Sequence, residues 1–201
     1  MRWSSVSILE KKEIMVKSDI NSKVLKELNP IKREKGIYMF VSTPESYKSV
    51  SRTILYNILT KWKWKGIYIT LNTPYKQLSV DLKNNGINLS RLYFIDGISK
   101  TGGKIINSDN CTFLEGPQSL TELSIAITTA CNTKSFDFLF FDSLSTITMY
   151  NDLKTSEKFS QYIINKLRNL DINAIIISLN EKGSLEVISV VSQFCNKCVH
   201  F

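Results

Sequence analysis

The sequence has a single histidine, few cysteines and no long apolar run, and each shortage excludes a class of protein. With His200 alone, the chain lacks the residues for histidine catalysis, a Ser-His-Asp triad or a site of several histidines. Four scattered cysteines are too few for a disulfide framework at this size. Apolar runs such as residues 138–141 and 174–177 are far too short to span a bilayer, and residues 1–14 lack the apolar core of a signal peptide. We therefore expect a cytoplasmic protein without a membrane span.

The composition is that of an ordinary folded domain. Of the 201 residues, 43% are hydrophobic and 22% are charged, and the length suits one domain. The net charge is +8, and residues 1–35 carry half of this excess. Two interpretations stay open: a merely solvated surface, or a surface for an acidic partner such as nucleic acid or anionic lipid.

Short apolar runs alternate with amphipathic segments after residue 35. Runs bounded by Gly or Asp predict buried strands at residues 36–41, 66–71, 91–95, 112–114, 136–141, 174–179 and 198–201. Helical spacing predicts helices at residues 43–65, 74–83, 119–130, 156–170 and 185–194. The alternation predicts an α/β domain over residues 36–201, a three-layer sandwich with a mainly parallel central sheet. Residues 1–35 are predicted to be a partly helical N-terminal extension.

Three helix starts and one helix end carry recognisable signals. In Thr43-Pro44 and Thr73-Pro74, Thr is predicted to cap the helix while Pro takes its first position. Ser119 and Glu122 have the spacing of a capping box. In the extension, an apolar stripe is predicted to end before Pro30, because proline breaks helices. The stripe consists of Val24, Leu25 and Leu28.

Residues 42–49 stand where a phosphate loop would lie, between a buried strand and a helix. Lys48 and Ser49 match the end of G-x-x-x-x-G-K-[ST], in which Lys contacts the outer phosphates and Ser/Thr holds magnesium. Both glycines are replaced, the second by Tyr47, which resists the close backbone approach that phosphate needs. One interpretation is therefore an ATP and magnesium site at Lys48 and Ser49. The other is an ordinary capped helix start, with Glu45 at the positive helix end where phosphate should lie.

Two further segments could serve phosphate chemistry. Residues 138–141 followed by Asp142 have the Walker B layout, in which the carboxylate orients magnesium. The alternative is that Asp142 caps the following turn. Residues 97–104 are a second near-match to a phosphate loop, but the spacing is one residue too long, and we interpret them as a mobile loop.

The order of these parts resembles the RecA superfamily and, within it, the archaeal-type KaiC-like ATPase domains. The resemblance covers residues 30–201 and is strongest at residues 66–78 and 138–145. It also includes residues 86–96 and 191–201. It implies a RecA/KaiC-like P-loop NTPase core, with Lys48, Ser49 and Asp142 at the positions that bind ATP and magnesium.

This chain departs from the family at the positions that carry out the family's chemistry. Where the family has a Glu-Glu pair that activates the attacking water, this chain has Asn72 and Thr73, and neither is a general base at neutral pH. We therefore predict a domain that has lost ATP hydrolysis, a pseudo-ATPase that regulates or scaffolds, in signalling or beside an active ATPase, through protein contacts or self-association. The alternative is an atypical ATPase whose base is Asp96, Glu181 or a residue of a neighbouring subunit.

Two smaller motifs leave other functions open. The pair Cys195-x-x-Cys198 with His200 is half of a zinc site, so we predict no metal and interpret the cysteines, with Cys111 and Cys131, as small core residues. Residues 61–65 alternate lysine and tryptophan, a pattern that can pair phosphates and stack bases. A nucleic-acid-binding module is therefore the second alternative. Against it stands a helix end whose tryptophans pack while its lysines complement the helix dipole.

Overall fold

The structure is a computed structural model that describes the backbone of residues 8–103 and 108–201, and the side chains from residue 19 onward in those ranges. The strands are Ile37–Ser42 (β1), Gly66–Thr70 (β2), Leu92–Asp96 (β3), Cys111–Phe113 (β4), Phe138–Asp142 (β5), Asn173–Leu179 (β6) and Lys197–His200 (β7). The α-helices are Ile8–Arg33 (α1), Pro44–Tyr56 (α2), Tyr75–Asn84 (α3), Leu120–Thr133 (α4), Leu144–Tyr150 (α5), Leu153–Asn169 (α6) and Leu185–Ser192 (α7). In these ranges, no helix is long and apolar enough to cross a membrane.

The seven strands form one parallel sheet in the order β4-β3-β2-β5-β6-β1-β7. All residues of β1, β2 and β5 are buried, as continuous apolar runs predict for strands covered on both faces. In register, Thr70 pairs with Asp142, and Asp142 pairs with Ile177. The carboxyl ends of these central strands therefore meet at one edge of the sheet.

Alternate side chains of each strand enter two separate cores. Tyr38 and Phe40 of β1 pack with α1, α2 and α3, whereas Ile37 and Met39 pack with α4, α5, α6 and α7. Helices thus cover both faces of the sheet. The predicted three-layer α/β architecture is confirmed.

The prediction that the first helix ends before Pro30 was wrong. The helix continues to Arg33, and Ile31, beyond the proline, is fully buried with Val24 and Leu28. Each buried aliphatic side chain contributes about 1.5–3 kcal/mol, so together they exceed the roughly 3 kcal/mol that an internal proline costs. Leu25, which the sequence placed in the apolar stripe, is 40% exposed.

Of the three predicted helix starts, only the first is confirmed in its contacts. Thr43 caps α2 by accepting a hydrogen bond from the N–H of Ser46 at 3.4 Å, with proline at the next position. Thr73 does not cap α3, because Asp96 accepts the N–H of Tyr75 at 2.7 Å instead. A carboxylate is the stronger acceptor, so a neighbouring strand supplies the cap that a local hydroxyl would have supplied.

The start of α4 and the presence of α5 also differ from the predictions. The capping box was wrong: Ser119 makes no side-chain cap, and the carboxylate of Glu122 accepts the N–H of Glu115 at 2.9 Å. Helix α5 was not predicted, because its serine and threonine residues have low helix propensity. The burial of Leu144 and Ile147 against the sheet stabilises it.

Candidate functional site

The predicted site residues lie at the carboxyl edge of the sheet, but only two of them share a cleft. Lys48, exposed on α2, and Asp142, at the end of β5, both line a cleft of about 130 Å³ between α2 and α3. Ser49 is half-buried on α2 and is not among the residues that line this cleft. Pockets for ordinary small ligands measure about 300–1,000 Å³, so the cleft is small for a nucleotide.

The connection from β1 to α2 consists of one residue, Thr43. The first helical residue, Pro44, has no N–H, and the N–H of Ser46 is already bonded to Thr43. Glu45 places a carboxylate at the positive end of the helix. Its own backbone N–H and the Thr43 hydroxyl hold the pKa of Glu45 below its ordinary value. This segment therefore forms an ordinary capped helix start, without a row of backbone N–H groups wrapped around an empty centre.

Asp142 is buried and hydrogen-bonded by two tyrosines. The hydroxyl of Tyr47 donates to one carboxylate oxygen, and the hydroxyl of Tyr68 donates to the other. Asn72 donates to the Tyr47 hydroxyl at 3.3 Å. Burial raises the pKa of Asp142, although the tyrosine and Asn72 hydrogen bonds act in the opposite direction. Burial also raises the pKa of both tyrosines, which therefore remain protonated donors.

The interpretation of Asp142 as a cap of the following turn was wrong, because its oxygens face the two tyrosines. The turn is instead linked through Ser143, whose hydroxyl contacts those of Ser145 at 2.9 Å and Thr146 at 3.0 Å. The role of Tyr68 was not predicted from the sequence. In the structure Tyr68 pairs in register with Phe140, two residues before Asp142 on the same face of the sheet, and the sequence alone does not show this register.

Asp96, considered as a general base, is fully buried and hydrogen-bonded on all sides. It accepts from the N–H groups of Tyr75, Ile98 and Ser99 at 2.7–2.8 Å and from the Ser99 hydroxyl at 2.5 Å. A carboxylate has about four lone-pair sites, so these four donors leave none to accept a proton from water. Asp96 therefore fixes the start of α3 and the loop after β3. Glu181, the other suggested base, is exposed after β6.

The second near-match to a phosphate loop folds around that same carboxylate. The N–H groups of Ile98 and Ser99 bind Asp96, and Ser99–Gly102 form a short 3-10 helix. Lys104, the last residue of the near-match, lies outside the described residues. The described part of this loop therefore surrounds a carboxylate of its own chain, that of Asp96.

The cysteine pair lies around β7, after the end of α7 at Ser192. The Cys198 sulfur lies 3.7 Å from Nε2 of His200. Burial raises the pKa of the Cys195 thiol to about 12, and it also raises that of Cys198, so neither is a ready thiolate. In the part of the chain that the structure describes, no three His, Cys, Asp or Glu side chains group as a metal site would require.

The raised pKa of Asp142 predicts folding stability that declines as pH increases. The folded chain holds this proton more tightly than the unfolded chain does. The resulting stability is complete below about pH 4, the ordinary pKa of aspartate, and is lost as the pH rises through the folded-state pKa. We expect Asp142→Asn, which stays neutral, to flatten the decline in denaturation midpoints measured from acidic to neutral pH. Equal slopes for Asp142→Asn and a control, Asp109→Asn on an exposed loop, would contradict this.

Comparison with known proteins supports the fold. No family model matches the chain. No curated protein matches it either. Solved structures do match, among them the crystal structure of a KaiC-like protein from the hyperthermophilic archaeon Pyrococcus horikoshii. The TM-score is 0.63 over 82% of this chain and 70% of that chain, at 10% sequence identity. This likeness confirms the predicted RecA/KaiC-like α/β core, and at that identity it extends to the fold alone.

Proposed function

We propose that this RecA/KaiC-like fold works here without ATP hydrolysis, as a regulatory or scaffold domain that acts through protein contacts. The observation that carries the proposal is the closure of the candidate metal position. Both oxygens of Asp142 are held by hydroxyls of its own chain, from Tyr47 and Tyr68. A carboxylate that orients magnesium and its water must instead present an oxygen to the ion.

The residues around this carboxylate do not fit ATP with magnesium. The side chain of Tyr47, which stands where the phosphate-loop motif has its second glycine, reaches across the cleft to Asp142. The β1–α2 connection is one residue long and supplies no cradle of backbone donors. Glu45 adds a negative charge where the triphosphate would lie. The Asn72 side chain, which stands where the family has a catalytic glutamate, donates to the Tyr47 hydroxyl.

Protein contacts are favoured by the distribution of exposed apolar side chains. Among the side chains that the structure describes, six of the nine large hydrophobic ones that are exposed lie in the α4–α7 layer, and Met149 is the most exposed of them at 74%. Large contiguous apolar patches mark protein-interaction surfaces, so a bias of exposed apolar residues toward one layer favours that layer as the contact face. The six residues are Ile125, Met149, Tyr150, Leu153, Tyr162 and Leu185.

The test is calorimetric titration of ATP with magnesium into the purified chain, beside Lys48→Ala. We expect no binding heat from either protein at millimolar ATP, because Lys48 lines only a small cleft whose carboxylate is already bonded. Binding that disappears in Lys48→Ala would overturn the proposal in favour of an ATP site. Steady ATP turnover that is lost in Asp142→Ala would establish the alternative, an atypical ATPase.

A further inference from the structure

We propose that the amino edge of the sheet, opposite the candidate site, binds single-stranded nucleic acid. This surface, the basic edge, consists of the segments that lead into five neighbouring strands, β3, β2, β5, β6 and β1. It carries eight basic residues, of which seven are exposed and Arg91 is half-buried. They are Lys32, Arg33, Lys35, Lys61, Lys63, Lys65, Arg91 and Lys134.

Backbone and side-chain contacts make the basic edge continuous. Arg91 donates to the carbonyl of Lys63 at 2.6 Å, which joins the segments before β3 and β2. The N–H of Lys65 donates to Asp137 at 2.7 Å, which joins the segments before β2 and β5. Lys35 pairs with Asp171 beside β6 and β1. Neighbouring strands lie about 4.8 Å apart, so the row of cations runs for roughly 19 Å.

The positive charge of this edge exceeds the amount that would neutralise the negative carboxyl ends of the helices. The same segments contain only three acidic residues, Glu34, Asp137 and Asp171, against the eight basic ones. Five helices end at this edge, and each contributes about −0.5 charge, which offsets roughly half of the surplus. Among the described residues, Lys35 is the one basic member with an ion pair. A net positive row remains, and it attracts a polyanion.

An aromatic cavity opens beside the row. It measures about 670 Å³, and its lining includes Trp64, Arg33, Lys134 and Asn132. The volume lies within the range of pockets that hold ring-sized ligands, about 300–1,000 Å³. The Trp64 ring meets Trp62 edge to face at 5.0 Å, which fixes its orientation. The lining holds four basic and three acidic side chains, and its indole can stack a base while the lysines bind phosphates.

The backbone that leads into Trp64 departs twice from regular geometry. Helix α2 ends in a π-helical turn, Asn57–Lys61, and Lys63 then adopts a left-handed conformation with φ 59°. A lysine in this region costs roughly 1–2 kcal/mol. Such departures concentrate at functional sites, and this one turns Trp64 toward the cavity that it lines.

The length of the row of cations and the cavity beside it together favour a nucleic-acid strand over other polyanions. A free nucleotide would use the cavity but leave most of the row without a partner. A flat lipid surface would meet the row but could not insert a headgroup ring against Trp64. A single strand can do both, because its bases are unpaired and its phosphates repeat along the chain.

The test is fluorescence anisotropy of a labelled oligothymidylate of about 15 residues, a length that covers one such site. If four cations contact phosphates, affinity falls about 50-fold between roughly 50 and 200 mM salt. We expect the triple variant Lys63→Asn, Lys65→Gln and Lys134→Gln to bind at least about tenfold more weakly at low salt, with a salt dependence of only about threefold. Asparagine suits the left-handed position of Lys63. Trp64→Leu should weaken binding about tenfold without changing the salt slope.

The matched control removes three exposed lysines elsewhere, with Lys154→Gln, Lys158→Gln and Lys182→Gln, and should bind like the parent chain. Circular dichroism confirms that each variant is folded. Equal affinity of the triple variant and the control, or no binding at low salt, would overturn the proposal. Full displacement of the oligonucleotide by thymidine monophosphate would assign the cavity to a free nucleotide instead. Lysine-dependent binding to phosphatidylserine vesicles without oligonucleotide binding would assign the edge to a membrane surface.

Discussion

Replacing Asp96 with alanine will lower the free energy of unfolding by about 3–5 kcal/mol. Four donors converge on this buried carboxylate: three backbone N–H groups and the hydroxyl of Ser99. Without it, the N–H groups of Tyr75, Ile98 and Ser99 lose their acceptor. Each unsatisfied buried donor costs about 1–3 kcal/mol, and the start of α3 also loses its cap.

Urea denaturation of the purified chain measures this loss. Asp96→Asn keeps one acceptor oxygen but turns an amide toward donors, so its loss should lie between those of the parent chain and Asp96→Ala. Asp109→Ala, on an exposed part of the chain, is the control and should change stability by less than about 0.5 kcal/mol. A loss below about 1 kcal/mol for Asp96→Ala would show that this carboxylate does not fix the loop as the hydrogen bonds indicate.

Removing the hydroxyls of Tyr47 and Tyr68 together will cost about 3 kcal/mol or more at neutral pH. The double variant Tyr47→Phe, Tyr68→Phe keeps the rings but leaves Asp142 buried without its two donors. A hydrogen bond to a charged group contributes about 1.5–3 kcal/mol, and a buried charge without partners takes up a proton instead. The cost should therefore shrink at acidic pH, where Asp142 is protonated in any case.

Adding Asp142→Asn to the double variant provides the decisive comparison. Because the amide carries no charge, it should recover much of the stability that the two hydroxyls supplied. Tyr150→Phe, at an exposed tyrosine, serves as the control and should be neutral. If Asp142→Asn adds its own loss to the double variant instead of recovering stability, the tyrosines do not act through Asp142.

The sheet could be predicted from the sequence because each buried parallel strand is a continuous run of apolar residues. The run from Phe138 to Phe141 is apolar on both faces, and its neighbours have the same pattern. The helix across Pro30 could not be predicted in this way. Its stability comes from the burial of Ile31 in a core shared with α2, α3 and the sheet, and local propensity contains no information on that burial.

The contacts of the candidate site could not be predicted from the sequence for the same reason. Lys48, Ser49 and Asp142 were found by motif spacing, which predicted their common edge of the sheet. Motif spacing could not show that Tyr47 bonds to Asp142, because 95 residues separate the two. The cap of α3 is similar: Thr73 is the local signal, but the carboxylate of Asp96 on β3 accepts the N–H of Tyr75 at the helix start.

The position of β1 within the sheet also has a consequence for biosynthesis. Its two hydrogen-bonding neighbours are β6, which begins at Asn173, and β7, which begins at Lys197. At a synthesis rate of about 5–20 residues per second, β1 therefore waits roughly 7–26 s on the ribosome before either partner exists. During that interval a strand that is fully buried in the finished sheet lacks both partners, and α1 and α2, which pack on its Tyr38 and Phe40 face, are the first described helices available to shield it. Non-local pairing of this kind folds slowly, so these two helices protect the nascent chain from aggregation before they support the finished fold.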